Sequence, residues 1–264
     1  MIILIAESKT MTDCNKSVTQ EFYQAHRSQT DSVVTHFTRD WAEWSVPETA
    51  EKLGISLKLA AKMHNALYDF PNKDRGEEAI EAYTGVVFKA LDYPTLPEKG
   101  KELICKDVRI ISSLYGFLRP SDIVKPYRLD FNTKVSPTGQ SMAAYWKPTV
   151  TQLLWDTMRE NDQYELLDLM PGDAAKCIDW RSLDKNVKRI KVDFKKIIAS
   201  ESGDGNLLYK TPRAEELKRL RGSLLRQIAC EDIKTSEDLK RIESESYQFD
   251  DELSSDKNLV FITD

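Results

Sequence analysis

The first five residues read Met-Ile-Ile-Leu-Ile, and Glu7-Ser8-Lys9-Thr10 follows after a single alanine. An apolar run this short, rich in β-branched residues and stopped by polar ones, fits a buried strand. A buried strand that opens into polar residues at its carboxyl end is how open α/β sheets place ligand sites. The 164–170 run repeats the pattern and opens into Pro171-Gly172-Asp173, while Val108, Ile110, Ile111 and Leu114 form a third β-prone run that ends at Gly116. Strand runs alternating with helical segments predict an α/β (mixed α+β) chain, with a central mixed sheet flanked by helices. No repeat, low-complexity linker or composition break divides it, so residues 1–264 are expected to form one domain.

Helix signals lie between these runs. Ser45-Val46-Pro47-Glu48 has the form of a capping box with proline in the first turn. That helix should end near Gly54, and Ser56 can cap a second one carrying Leu59, Met63, Ala66 and Leu67 on one face, with Lys58 and Lys62 towards solvent. Residues 46–68 therefore read as helix, short hairpin, helix. Such an element can offer helix amides to a phosphate, and an ordinary helical hairpin has the same sequence pattern. Segment 140–160 suits a long helix, with Pro148 as a break or new start. Segment 215–230 places Leu217, Leu220, Leu224, Leu225 and Ile228 in a stripe, with Lys218, Arg219, Arg221 and Arg226 mostly outside it. Phe22 and Tyr23 are the expected anchors of the polar 13–31 segment. Val33, Val34, His36 and Phe37 are compatible with a strand, as are residues 84–88, which also fit a turn, and a short helix is expected at 77–83. Segment 188–198 alternates apolar and lysine side chains, and Leu207-Leu208 can begin its partner strand across a 202–206 turn.

Composition excludes more than it selects. No run approaches the roughly 18 apolar residues of a membrane span, and no basic stretch with an apolar signal core opens the chain, so a cytoplasmic protein with no membrane partner is expected. Cys14, Cys105, Cys177 and Cys230 are far apart, and His26, His36 and His64 show no ligand spacing, so neither a metal nor another cofactor is expected. The common phosphate-loop, dinucleotide and hydrolase motifs are absent. The net charge of −5 hides a local excess: residues 185–226 hold twelve Lys/Arg against five Asp/Glu, and residues 227–264 hold four against eleven. A basic face on an acidic protein follows.

Residues 110–131, IISSLYGFLRPSDIVKPYRLDF, concentrate the unusual chemistry. Gly116 marks a change of chain direction, Pro120 forces Arg119 to be extended, Ser121 can start a short helix, and Pro126 ends it. Arg119, Lys125 and Arg128 thus fall beside Tyr115 and Tyr127 at element ends, where side chains can converge on an anion. The same residues also allow a purely structural arrangement, in which Arg119 pairs with Asp122 and Arg128 with Asp130. Lys9 is a further candidate anion contact, or a solvated loop lysine.

SLYGFLRPSDIVKPYRLDF at 113–131 is close to the GLYG-LRP-D-PYRLEM signature of the YaaA peroxide-stress protein family, which the chain resembles from end to end. The opening strand is similar to that family's strand and SPAKT motif. YTGVVFKAL at 83–91, AAYW at 143–146, RLRGSLLRQI at 219–228 and SYQF at 246–249 follow in the family's order. The resemblance implies a single α/β domain that binds DNA through a helix-hairpin-helix element and a positive cleft, protects against peroxide and keeps iron low. By position the cleft would draw on Lys9, Arg119, Lys125, Arg128 and Arg221. The chain departs from the pattern at Glu7, where the family has proline, at Ser113, where it has glycine, and in DLMPGDAAKCIDW at 168–180.

The leading expectation is a DNA-binding protein of peroxide defence that contacts duplex or damaged DNA, without reading sequence, through Lys9, Lys58, Lys62, Tyr115, Arg119, Lys125, Arg128, Lys218 and Arg221. The alternative is an enzyme acting on a nucleotide-like anion in the same cleft, with Lys9, Arg119 and Arg128 holding it and Tyr115, Asp122 or Tyr127 moving a proton. A deep pocket around Arg119 would favour the enzyme, and a groove as wide as a duplex would favour DNA. An iron-handling protein is the third possibility, resting only on the family's link to iron. Catalytic residues and oligomeric state are not assigned by the sequence.

Overall fold

The opening run forms strand β1 (Ile2–Ala6), with all five residues buried. The computed structural model describes residues 1–13, 16–17, 27–70, 75–183, 185–198, 208–244 and 246–263. Phe22, Tyr23, Leu207 and the 202–206 turn lie outside these residues. After β1 come β2 (Lys16–Ser17), α1 (Arg27–Glu43), α2 (Val46–Leu53), α3 (Leu57–Asp69), β3 (Arg75–Glu78), α4 (Ala79–Ala82), α5 (Val86–Leu91) and α6 (Glu98–Asp107). The middle of the chain adds β4 (Val108–Ser112), β5 (Gly116–Leu118), β6 (Ile123–Val124), α7 (Met142–Glu160), β7 (Glu165–Asp168) and α8 (Trp180–Leu183). The last third adds β8 (Lys188–Ile198), β9 (Leu208–Lys210), α9 (Ala214–Cys230), α10 (Ser236–Leu239), β10 (Glu243–Ser244), β11 (Tyr247–Ser255) and β12 (Asn258–Thr263).

One sheet runs in the order β10-β11-β12-β8-β7-β1-β4-β5, with β9 paired to β8. Its centre, β12-β8-β7-β1-β4, is parallel. Antiparallel partners β5, β11, β10 and β9 complete it. The arrangement is the expected mixed sheet flanked by helices in one domain. A smaller antiparallel sheet joins β2, β3 and β6. β1 pairs on one side with β4, the next strand of the large sheet in sequence, and on the other with β7. The strand order therefore reverses at β1, and the carboxyl ends of β1, β4 and β7 border the crevice that such a reversal opens.

Local signals explain most elements. The Ser45 side chain accepts the Glu48 amide and the Glu48 carboxylate accepts the Ser45 amide, so the capping box forms, and Gly54 ends α2 at φ 61°. Ser56 accepts the Leu59 amide at the start of α3. Residues 46–68 thus hold two helices, α2 and most of α3, joined by a short connection. Gly116 turns the chain at φ 74°, and its missing side chain leaves room for the Trp146 ring. No helix among the described residues is long and apolar enough to cross a membrane.

Five expectations are corrected. Residues 33–37 belong to helix α1, because Val33, Phe37 and Trp41 recur every fourth residue and all three are buried. Residues 86–91 are helix α5, following Gly85 at its N-cap. No helix starts at Ser121: the Asp122 carboxylate accepts the Arg119 amide at 2.7 Å and closes a turn that leads into β6. Pro148 does not break α7, which passes through it. At 77–83, strand β3 ends at Glu78 before the short α4 begins.

Helix α9 packs on α5, and a Cβ at Gly222 would collide with the Val87 carbonyl oxygen and the Ala90 side chain. Alanine favours a helix by about 1 kcal/mol over glycine, but a backbone carbonyl cannot move aside cheaply, and overpacking costs about 1–3 kcal/mol. Gly222→Ala is therefore expected to lower the urea midpoint. An unchanged or raised midpoint would show that the α5–α9 contact is slack.

Candidate functional site

Residues after β1 (Glu7, Ser8, Lys9, Thr10), the first turn of α5, Asp130 and Phe131, the loop after β7 (Leu169, Pro171, Asp173) and α9 (Lys218, Arg221) enclose a crevice of about 420 Å³. That volume is in the range of small-molecule sites. Ile5, Val86, Val87, Phe88 and Phe131 give it apolar walls, and its charged groups are Lys9, Lys218 and Arg221 against Glu7, Asp130 and Asp173. Glycines make the close approaches: a Cβ at Gly85 would strike the Ser8 hydroxyl.

Glu7 is the first polar residue beyond β1, and its carboxyl is tied to the end of β4. Ser113 donates twice, from its amide to Oε2 at 2.8 Å and from its hydroxyl to Oε1 at 2.6 Å. The Tyr127 hydroxyl donates to Oε2 in a short bond. That hydroxyl also meets Tyr83 Oη at 2.7 Å and Ser112 Oγ at 2.6 Å. Burial pushes the Glu7 carboxyl up to about 7 from 4.5, and the bonds from Ser113 and Tyr127 only partly oppose it. Burial, and then the Glu7 charge, raise the Tyr83 and Tyr127 phenols and the Cys177 thiol, so all three stay neutral.

The cations divide into two groups. Lys9 lines the crevice and pairs with Asp130 at 2.5 Å. Lys218 and Arg221 line it too, and neither makes a hydrogen bond or ion pair among the described residues. Burial lowers the pKa of Arg221, while Asp168 and Asp193 hold it up. The other candidates lie elsewhere. Lys125 is buried, its ammonium donating to the Phe70 carbonyl at 3.2 Å and its amide to the Tyr115 hydroxyl. Tyr115 is buried against the Tyr127 ring. Arg119 is exposed at the 119–122 turn, outside the crevice lining. Arg128 lies 3.8 Å from Asp130, and its buried Nη1 has no hydrogen-bond partner among the described residues. Lys58 is exposed on α3, and Lys62 pairs with Asp13 at 2.8 Å. Asp122, raised to about 6 by burial, holds the Arg119 turn.

The functional groups that residue patterns missed are Glu7 as a buried acid, its partner Ser113, the Ser112 and Tyr83 hydroxyls that meet Tyr127, and Asp130 and Asp173 in the lining. For Glu7 the available signal was its own position, an acid directly beyond an all-apolar strand. The 168–180 loop, which departs from the motif, is well anchored: Asp168 takes two bonds from Arg189, at 2.6 and 3.1 Å, and that guanidinium stacks 3.3 Å over Trp180. Among the described residues, no three His, Cys, Asp or Glu side chains are grouped to hold a metal ion.

A mixed sheet with a parallel centre and a ligand-sized, charged crevice at its reversal point defines an open-sheet α/β protein. The family model described as Peroxide stress protein YaaA matches residues 1–253, and the chain belongs to that family. A UPF0246 protein of Parabacteroides distasonis is 30% identical over 269 residues, covering 99% of both chains. UPF0246 proteins of Francisella philomiragia and Bacteroides fragilis are 29% and 27% identical, each over 99% of this chain.

Because the folded Glu7 carboxyl holds its proton up to about pH 7 and an unfolded one only to 4.5, its contribution to stability is complete below pH 4.5 and is lost as pH rises through 7. Glu7→Gln removes this titration. Relative to wild type, the variant should gain stability between about pH 5 and about pH 8, by up to about 3 kcal/mol in urea unfolding. A difference that does not change with pH would mean that the carboxyl titrates normally.

Proposed function

We propose that the protein serves the peroxide-stress response by taking a nucleotide-sized anion into the crevice beside β1. The observation that carries this reading is the pair Lys218 and Arg221, which line a ligand-sized space and have no ion-pair partner of their own among the described residues. A partly buried guanidinium that makes no direct ion pair is a strong site for a phosphate or carboxylate. Apolar walls from Val86, Val87 and Phe131 would take the body of such a ligand. The family's link to peroxide stress gives the physiological setting.

Binding of duplex DNA is the second reading. It is favoured by the α2–α3 hairpin with Lys58 exposed, and by the exposed Lys218 and Arg219 on α9. A crevice of about 420 Å³ is too small for a duplex, so DNA would lie on the outer surface and send at most one nucleotide inward.

Thermal shift across a nucleotide panel, together with anisotropy titrations of duplex DNA at two salt concentrations, separates the two. On the first reading Arg221→Ala weakens nucleotide binding by about 10- to 100-fold, the cost of one charged hydrogen bond, and Lys58→Ala does not. On the second, duplex affinity falls with salt by a log–log slope of about −0.9 per phosphate contacted, and Lys58→Ala weakens it. No nucleotide shift and no effect of Arg221→Ala would overturn the first reading.

A further inference from the structure

We infer that Glu7 is neutral when the crevice is filled, so that the site takes up an oxyanion and a proton together. The inference rests on the crevice reading above and specifies the ligand: it must carry an oxygen that accepts a hydrogen bond from a carboxylic acid, as phosphate esters, sulfates and carboxylates do.

The geometry that carries it is the hydrogen-bond accounting around the carboxyl. A carboxylate has about four acceptor positions. Oε2 uses two, for the Ser113 amide and the Tyr127 hydroxyl, and Oε1 uses one, for the Ser113 hydroxyl. None of these donors is a cation. The remaining position on Oε1 is where a proton can bind, and Glu7 lines the same space as Lys218 and Arg221. Left ionised, Glu7 would repel any anion drawn in by those two side chains. Protonated, it becomes a donor to that anion, and the repulsion is replaced by a hydrogen bond.

The groups that face Glu7 leave it as the one that changes state near neutrality. The Tyr83 and Tyr127 phenols and the Cys177 thiol remain protonated, for the burial reasons given above. Asp130 is paired with Lys9, and Asp173 accepts the Ala174 amide at 3.0 Å. Without an anion, the Glu7 carboxyl titrates at about 7, and a bound anion can only raise that value. Glu7 and Ser113, two of the positions where the sequence departs from the motifs it resembles, are direct partners across 106 residues.

Inorganic sulfate is the probe, because it stays a dianion throughout the neutral range. Isothermal titration of the full chain in two buffers of different ionisation enthalpy should show proton uptake, and an affinity about tenfold weaker at about pH 8 than at about pH 6. In Glu7→Gln the uptake disappears and the affinity no longer varies with pH. Should that variant fold poorly, Ser113→Ala, which removes one donor to the carboxylate, should move the pH dependence upward. Arg221→Ala should abolish sulfate binding at every pH. If sulfate binds, Arg221→Ala removes it, and binding shows no proton uptake, the inference is wrong and the crevice reading stands. If sulfate does not bind, or binds equally well in Arg221→Ala, both fall.

Discussion

The rest of the structure depends on β1 being hydrogen-bonded on both edges. Leu4 sits opposite Arg109 of β4 on one side and Asp168 of β7 on the other. The pairing continues past the strand, with the Glu7 amide donating to the Ile111 carbonyl at 2.9 Å and the Leu169 amide to that of Leu4 at 3.0 Å. A strand of five buried residues with no open edge is fixed by the hydrogen bonds it makes to both neighbours. The polar residues that follow it are therefore held in one place, between the ends of two parallel neighbours. The crevice is a consequence of that topology, and the side chains around it decide its chemistry.

Charge placement follows from the same constraint. Where acids and bases meet at the sheet end, most neutralise each other: Asp168 with Arg189, Lys9 with Asp130. Glu7 has donors but no cation among them, so it carries the electrostatic tension of the site. Arg221 and Lys218 are the complementary case, cations that make no hydrogen bond or ion pair among the described residues. A buried acid that resists ionisation, in the same crevice as cations that make no direct ion pair among the described residues, is an arrangement that a bound oxyanion, with a proton, would resolve. The hydroxyls of Ser112, Tyr83 and Tyr127 form a connected set that can reorient as that proton arrives.

The sheet was legible in the sequence because a continuous apolar run such as Ile2–Ala6 has few other ways to be buried, and because segment 188–198 alternates apolar and lysine side chains. Helices α2 and α9 were equally readable, through the Ser45–Glu48 box and the leucine stripe. Helix α1 was not, because adjacent Val33 and Val34 imitate a strand, and only the longer spacing to Phe37 and Trp41 shows the helical face. In the site, Lys9 was found just beyond the opening strand, and Lys218 and Arg221 as cations outside the leucine stripe of a basic helix. Lys125 was misplaced because its partner, the Phe70 carbonyl, lies 55 residues away. Glu7 was seen only as a departure from a motif, since nothing local indicates that Ser113 and Tyr127 will close over it.

The most direct test of the account is a crystal structure of the protein soaked with selenate near pH 6, using the anomalous signal of selenium to locate the anion. The account predicts an anomalous peak inside the crevice, within hydrogen-bond distance of Arg221 and of the Glu7 carboxyl. A peak on the α2–α3 hairpin at Lys58, with no peak in the crevice, would contradict it.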